Sequence, residues 1–589
     1  MANRNLRKMA LTLAVAVSGW TAAAHATTYT WNGNGTLGSF SNSGNWVSNS
    51  VPTGIGTNDN TDVDIFGTSG GNTANNNVTV GNALGAYSFE FTNQLGSTFA
   101  LTSATGSNMA LGLGGLTLDA GAPAVSIVAR NFYMATSNFT DNSSNFIEIN
   151  TVAGGGYFTT FQKSTSTAST VTFTGSGTGG IYVPMGFTTQ AGGAVIMDSP
   201  NNTLYLGKYA NGTLYSGNTL GNANIPLTLT SGNVWENIGG AETLSGATTV
   251  AAGATLTFND SVGGKGFRPS QGNFPSSLTG AGTVILNAPA SNTNSTYGAG
   301  SGTNAANINL TTGAPGTGGM IQVQGGGMVQ LANANDTISG NITVIGGTDF
   351  QIFNGISLAN INTITLGAAS DSGILAMTAN SGSTGNTFSN VTVPASATGG
   401  LAQLGTSWSG TMTVTNLNLN SGSQLNVGSV LNGTGNQFVL SSVNLNGGTS
   451  NIAVSSTMIS GAGLRTDPII ALGNVTGSGT LNVVGNSVST HHSLTGNIGA
   501  SATVNISNIF AASGSFQIAG TLNQTADVNN WWAGDNTAGL TLPSTPQRQP
   551  ASFRRNPHRQ RKIRRQRQSC QRPSGPDRLR SGRRLLGFR

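Results

Sequence analysis

The chain has 589 residues, of which 86 are Gly, 7% are charged and one is Cys. That length exceeds a single compact domain, the charge content is far below the rough quarter of an ordinary soluble protein, and the lone Cys excludes a disulfide-stapled scaffold. Asn, Thr and Ser supply the polarity; no run beyond residue 30 is apolar enough for a bilayer-spanning helix, and frequent short apolar strands argue against low-complexity disorder.

Residues 1–26 read as a secretory signal peptide. Arg4, Arg7 and Lys8 make a positive start, MALTLAVAV (9–17) is an apolar core too short to span a membrane, and Ala24-His25-Ala26 has the small-x-small pattern of a cleavage site. This predicts export, to the extracellular space, the cell surface or the periplasm. An exported chain without internal disulfides draws its stability from elsewhere.

Residues 27–68 carry Trp31, Asn45-Trp46, Pro52 and the run Asp62-Val63-Asp64-Ile65-Phe66. Stacked strands expose their end, and two Trp here are predicted to cover it as an N-terminal cap. Asp59, Asp62 and Asp64, with Asn58 and Asn60, form the densest acidic cluster. Such oxygens suit Ca²⁺, but the Gly and closing Glu of an EF-hand loop are missing, as is the Gly-Gly-x-Gly-x-Asp repeat. The expectation is a polar turn feeding an alternating strand, with no metal site.

Residues 69–543 are built of recurring units. TLSGATTVAAGATLTF (243–258) is echoed by TISGNITVIGGTDFQI (337–352) and, with a gap, by SLTGNIGASATVNI (493–506). A second unit, apolar-x-apolar-x-small-Gly, appears as LTLDAG (116–121), LTLTSG (227–232), INLTTG (308–313), LNLNSG (417–422) and VNLNGG (443–448), and a third as GAGTVIL (280–286) and GSGTLNV (477–483). In LNLNSG the period of two sends Leu417 and Leu419 to one side and the Asn residues to the other, and Gly422 allows a corner at positive φ. No helical period survives the Gly spacing. A sandwich of this length would show domain boundaries and a propeller a fixed blade motif. The predicted fold is therefore all-β: a right-handed parallel β-helix, or β-solenoid, of 20–25 coils with an aliphatic interior and ladders of Asn and Thr, roughly 100–120 Å long at about 4.8 Å per coil.

Candidate chemistry is sparse. His491 and His492 are adjacent, so a strand would place them on opposite faces, and a solvated loop is expected. Glu148, Asp198, Glu236, Glu242, Asp336, Asp349, Asp371 and Asp467 are scattered along the chain. A polysaccharide lyase or hydrolase on a β-helix needs paired carboxylates, usually beside Arg or Lys. The body offers only Arg130, Lys163, Lys208, Lys265, Arg268 and Arg465. Aromatic platforms for sugars reduce to Trp235, Trp408 and Trp531-Trp532. No catalytic, cofactor-binding or metal residue is assigned, and no cofactor is expected.

The opening Trp-Asn-Gly, Asn-Trp, Pro and Asp62-Val63-Asp64-Ile65-Phe66, with the repeats at 243–256 and 477–481, resembles the bacterial autotransporter-associated β-strand repeat family over about 27–540. The resemblance implies a secreted β-helical passenger on or near a bacterial surface, structural or adhesive, and it implies no catalytic residues. It departs from the family at the C-terminal end. The strands of a translocating barrel are not read there, nor is a Pro-Glu-Pro sorting signal with its hydrophobic helix.

Residues 544–589 change texture, with fourteen Arg and one Lys against Asp577. The tail is +14, the body 27–543 is −11 and the leader +3, which together give the net +6. The basic tail, with Cys570, reads as a disordered polybasic segment or as the product of an out-of-frame reading; only an authentic tail would bring nucleic acid, acidic lipid or anionic polysaccharide into play. The partners expected otherwise are cell-surface polysaccharide or neighbouring passengers. The functional expectation is a non-enzymatic exported scaffold. The alternatives are a carbohydrate-active β-helix and a truncated passenger with no remaining function.

Overall fold

The computed structural model describes residues 27–524 apart from 36–37, 54–61, 68–75, 104–106, 152–157, 163–166, 185–186, 190–191, 216–224, 239–245, 261–273, 276, 291–294, 298–306, 311–318, 332–336, 354–357, 359, 379–385, 405–409, 430–436, 455–468, 485–491, 508–509 and 513–518. The expected signal peptide and basic tail lie outside the described residues. Residues 1–542 and 543–589 are separate units, and everything described below belongs to the first.

Alternation of period two dominates the chain, and it produces strands that pair in parallel with the strand one coil away. Thr28–Trp31 pairs with Val63–Phe66, which pairs with 88–91, then 115–118, then Ser137–Asp141. This first face continues through Thr170–Thr174, 194–198 and 227–231 to Leu278–Gly280, Asn307–Leu310 and 337–339. A second face runs from Asn77–Val80 through Phe99–Ser103, Val125–Ala129, Ile147–Thr151 and Ile181–Val183 to 204–206 and 233–237. It then passes through Thr255–Asn259, Thr283–Asn287, Met320–Gln324 and 341–344, and on to 443–446 and 474–478. A third face begins at 84–86 and reaches Phe187–Thr189. It resumes at Ser295–Tyr297 and continues to Ala502–Ser507 and Thr521–Gln524. Between these two stretches the described residues contain no third-face rung.

The chain is therefore a parallel β-solenoid, as the repeats predict, and its coils show three sheet faces wherever third-face rungs are described. Helix is limited, among the described residues, to the short 3-10 turns Ser43–Asn45 and Asn93–Leu95. Antiparallel pairing is local, as where Phe161 and Gln162 meet Ala168 and Thr167.

The repeated motifs are local shapes rather than fixed positions in the coil. LTLTSG lies on the first face and LNLNSG on the second. Both end in a left-handed Gly, Gly232 at φ 78° and Gly422 at φ 76°. LNLN and VNLN, 26 residues apart, stack directly: Leu417 pairs with Val443, Asn418 with Asn444, Leu419 with Leu445 and Asn420 with Asn446.

The interior is one hydrophobic column fed by all three faces. It is less purely aliphatic than expected, because rings fill it towards the N-terminus. Phe66 stacks on Phe91 at 4.9 Å, Phe139 meets Phe173 at 5.1 Å and Phe158 meets Phe187 at 4.8 Å. At the start of the column Trp46 packs edge-on against Trp31 at 5.2 Å and Phe40 at 5.0 Å, and its Nε1 donates to the Phe40 carbonyl at 2.9 Å. Trp31, Phe40 and Trp46 are fully buried, so this knot of rings removes a large apolar area from water where the first coil would otherwise be bare.

Candidate functional site

Function in such a molecule resides in what the coils turn outward and in any polar group they turn inward. The acidic run at 62–66 holds two of the buried polar groups, Asp62 and Asp64. Asp64 and Phe66 are the rungs after Tyr29 and Trp31 and before Phe89 and Phe91, so the Asp64 side chain faces the column. It is fully buried, and neither carboxyl oxygen has a hydrogen-bond partner among the described residues. Burial, and then the nearby Asp62 charge, hold its pKa well above the ordinary value. Asp62, also buried, meets the loop before it, accepting from the Thr53 N–H at 2.7 Å and the Thr53 hydroxyl at 2.6 Å. Asn58, Asp59 and Asn60 lie outside the described residues.

Four carboxylates, Asp141, Asp198, Asp349 and Asp371, are engaged in holding the coils. Asp141 accepts from the Ser143 N–H at 2.9 Å and from Asn202 Nδ2 at 2.6 Å, while Asn202 Oδ1 accepts from Gly180 N–H at 3.0 Å. Burial raises the Asp141 pKa to about 6 against these bonds. Asp198 accepts from the Ser231 hydroxyl at 2.9 Å, and Asp371 from the Gly346 and Ser372 N–H groups at 2.8 and 2.7 Å. Asp349 accepts from Gln351 at 2.7 Å, Gln351 in turn accepts from Gln330 at 2.6 Å, and burial pushes Asp349 to about 6. Glu236 faces the column and is buried. Glu242, Asp336 and Asp467 lie outside the described residues. One acidic neighbourhood escaped the sequence reading: Glu90, raised by partial burial and then by Asp119. Among the described residues no three of His, Cys, Asp and Glu gather as metal ligands would. His492 falls in the strand His492–Leu494, paired with Phe510, and His491, Trp408, Trp531, Trp532 and Cys570 lie outside the described residues.

The second face presents a continuous outward file. Tyr182 pairs with Tyr205, Tyr205 with Trp235 and Trp235 with Thr257. The file continues through Ile285, Gln322, Thr343, Thr365, Thr392, Asn418, Asn444 and Thr476. A parallel file two residues earlier on each strand includes Thr255, Thr283, Asn341, Thr363 and Asn416. From Tyr182 onward neither file contains a charged side chain; the rung before Tyr182 carries Glu148. Amide ladders brace this side: Asn416 donates to Asn390 at 3.1 Å, Asn444 to Asn418 at 3.3 Å and Asn446 to Asn420 at 2.7 Å.

At one end of the file the rings form a built feature. Tyr182 and Tyr205 stack at 4.5 Å with planes 11° apart, and Trp235 follows at 6.2 Å. Lys208 Nζ lies 4.8 Å from the Tyr205 ring centre and 5.3 Å from that of Trp235, a cation held by two π-faces. The hairpin that carries Lys208 closes through Tyr209 N–H to the Thr213 carbonyl at 2.9 Å, and the Glu148 carboxylate fixes it by accepting from Ala210 N–H at 2.8 Å. Tyr182 is raised by burial first, then by Tyr205 and Glu148. Of the three rings the sequence points only to Trp235, while Glu148 and Lys208 stand among its scattered charges. The missed signal is an aromatic residue between two core positions in IYV (181–183), LYL (204–206) and VWE (234–236), which alternation turns outward on successive rungs.

Family models, curated proteins and solved structures, compared with this chain, give no match. Among the described residues no helix is long and apolar enough to cross a membrane.

Proposed function

We propose that this protein is a non-catalytic, exported β-solenoid that works as a structural or adhesive element at a bacterial surface, in the manner of the autotransporter-associated β-strand repeat passengers it resembles. The observation that carries the reading is the use of its carboxylates. Asp141, Asp198 and Asp371 each bind the backbone or a neighbouring side chain of the coils, which is structural work, and acid–base catalysis needs such groups paired and free to meet a substrate. The signal-like leader supports export, and the uncharged Thr and Asn exterior supports a surface that meets other molecules without chemistry.

The test is expression of the full chain with its own leader in a bacterial host. Protease shaving of intact cells and assay of the medium should find the body outside the inner membrane. The purified protein, incubated with neutral and anionic polysaccharides, should release no new reducing or unsaturated ends. Cytoplasmic retention would defeat the localisation, and product release would make the chain a carbohydrate-active β-helix instead.

A further inference from the structure

We propose that the outward side of the second face is a binding strip for a neutral, unbranched polysaccharide lying along the stacked rungs. This rests on the non-catalytic exported reading and adds to it a particular face and ligand class.

Three observations carry the inference. First, the strip is open and uncharged. From Tyr205 to Asn444 the outward residues of the file are half-buried, as side chains in the middle of a bare sheet are, and none is ionisable at neutral pH. The third face differs: its outward Asp349, Gln351, Ala376 and Ala402 are all buried. An anionic polymer needs cations, and Arg130 and Lys208 are the only basic side chains among the described residues, with Lys208 engaged by two rings.

Second, the strip repeats. Rungs recur about every 4.8 Å, so hydroxyls and amides return at a constant interval, and a polymer whose own hydroxyls recur can meet them many times. The amide ladders leave capacity for this. An Asn side chain has two N–H donors and two acceptor sites; Asn390, Asn416 and Asn418 each donate once, to Asn362, Asn390 and Thr392, which leaves part of that set, while Asn444 donates to both Asn418 and Asn446. The ladders also fix the side chains beforehand, which lowers the ordering cost of binding.

Third, the strip has an aromatic end. Tyr182, Tyr205 and Trp235 are amphipathic rings with polar tips, suited to a sugar with C–H faces and hydroxyl edges. Lys208 sits over the Tyr205 and Trp235 rings, and the hairpin that carries it, anchored on Glu148, closes this end of the strip, so a sugar meets the ring edges and polar tips left beside it.

Each single contact is weak, so affinity must grow with the number of rungs engaged. The full chain is run in native gels containing soluble β-glucan, xylan, mannan, alginate or polygalacturonate. Retardation is expected with at least one of the three neutral polymers, unaffected by salt, with trisaccharides of the same sugar failing to compete. Thr343→Arg with Thr392→Arg puts long charges two rungs apart on the strip and should weaken retardation at least about tenfold by interrupting the run of contacts. Gln424→Arg with Thr480→Arg, the same change on the outside of the third face, should leave it intact. Melting curves check that both pairs fold; should the first pair unfold the chain, Tyr205→Ser with Trp235→Ser reads the aromatic end instead. Failure to bind any neutral polymer, salt-sensitive binding of anionic polymers alone, or equal effects of the two Arg pairs would overturn the strip. Release of sugar ends would overturn the non-catalytic reading separately, because retardation and its dependence on the strip can still be measured at low temperature.

Discussion

At the scale of single residues, two positions show how little freedom the coil allows. Gly232 sits at φ 78°, and a Cβ there would run into the Ser199 carbonyl of the neighbouring coil. Gly232→Ala therefore meets both a left-handed backbone and a neighbour that is itself backbone. It should cost more than about 1 kcal/mol, read as a lower urea midpoint with unchanged slope. Gly253, at φ 83° with nothing near its missing Cβ, has only the backbone term to lose, so Gly253→Ala should be the milder of the two. Asp64 shows the opposite situation, a group that alternation forces inward. The pattern Asp-x-Asp-x-Phe places Asp62, Asp64 and Phe66 on one side, and Phe66 belongs to the core. The inward carboxyl was thus present in the sequence as a pattern: the polar turn feeding an alternating strand is read there, but not the side to which the strand turns Asp64.

At the scale of the element, the strand-and-corner unit determines most of what happens. Leu417 is fully buried, between Val391 and Val443 in the neighbouring coils, whereas Thr415 on the same strand is exposed. Leu417→Ala should cost about 2–5 kcal/mol and Thr415→Ala less than about 0.5 kcal/mol, with the loss of hydrogen-exchange protection concentrated in the coils that touch residue 417. This unit was legible without coordinates: LNLNSG and VNLNGG announce a strand, an inward pair and a Gly corner, and their spacing of 26 residues is one coil. The face on which a unit falls was not legible. TLSGATTV and TISGNITV align residue for residue, yet Val250 lies on the first face and Val344 on the second. Local sequence encodes the corner, while the face depends on how many residues the intervening loops consume, and those lengths vary. The aromatic stack was hidden for the same reason. Tyr182, Tyr205 and Trp235 are 23 and 30 residues apart, and only the register reveals them as neighbours.

At the scale of the whole molecule, each coil leans only on the coils beside it, so stability is a sum of intrinsic and nearest-neighbour terms. Buried carboxyls add a pH dependence to that sum. Asp64, Asp141 and Asp349 all have pKa values raised in the folded chain, the last two to about 6 against a reference of 3.8. The folded state therefore binds these protons more tightly than the unfolded state. The stability they contribute is fully present below 3.8 and is lost as the pH climbs through about 6, up to about 3 kcal/mol for each of the two. Urea midpoints should fall between pH 4 and pH 7, and Asp141→Asn with Asp349→Asn should flatten that slope. Dissolved ions have little else to act on. The column coheres through hydrocarbon, amide and hydroxyl, and screening acts only on interactions between charges. A molecule of this composition would hold together as well in brine as in rainwater.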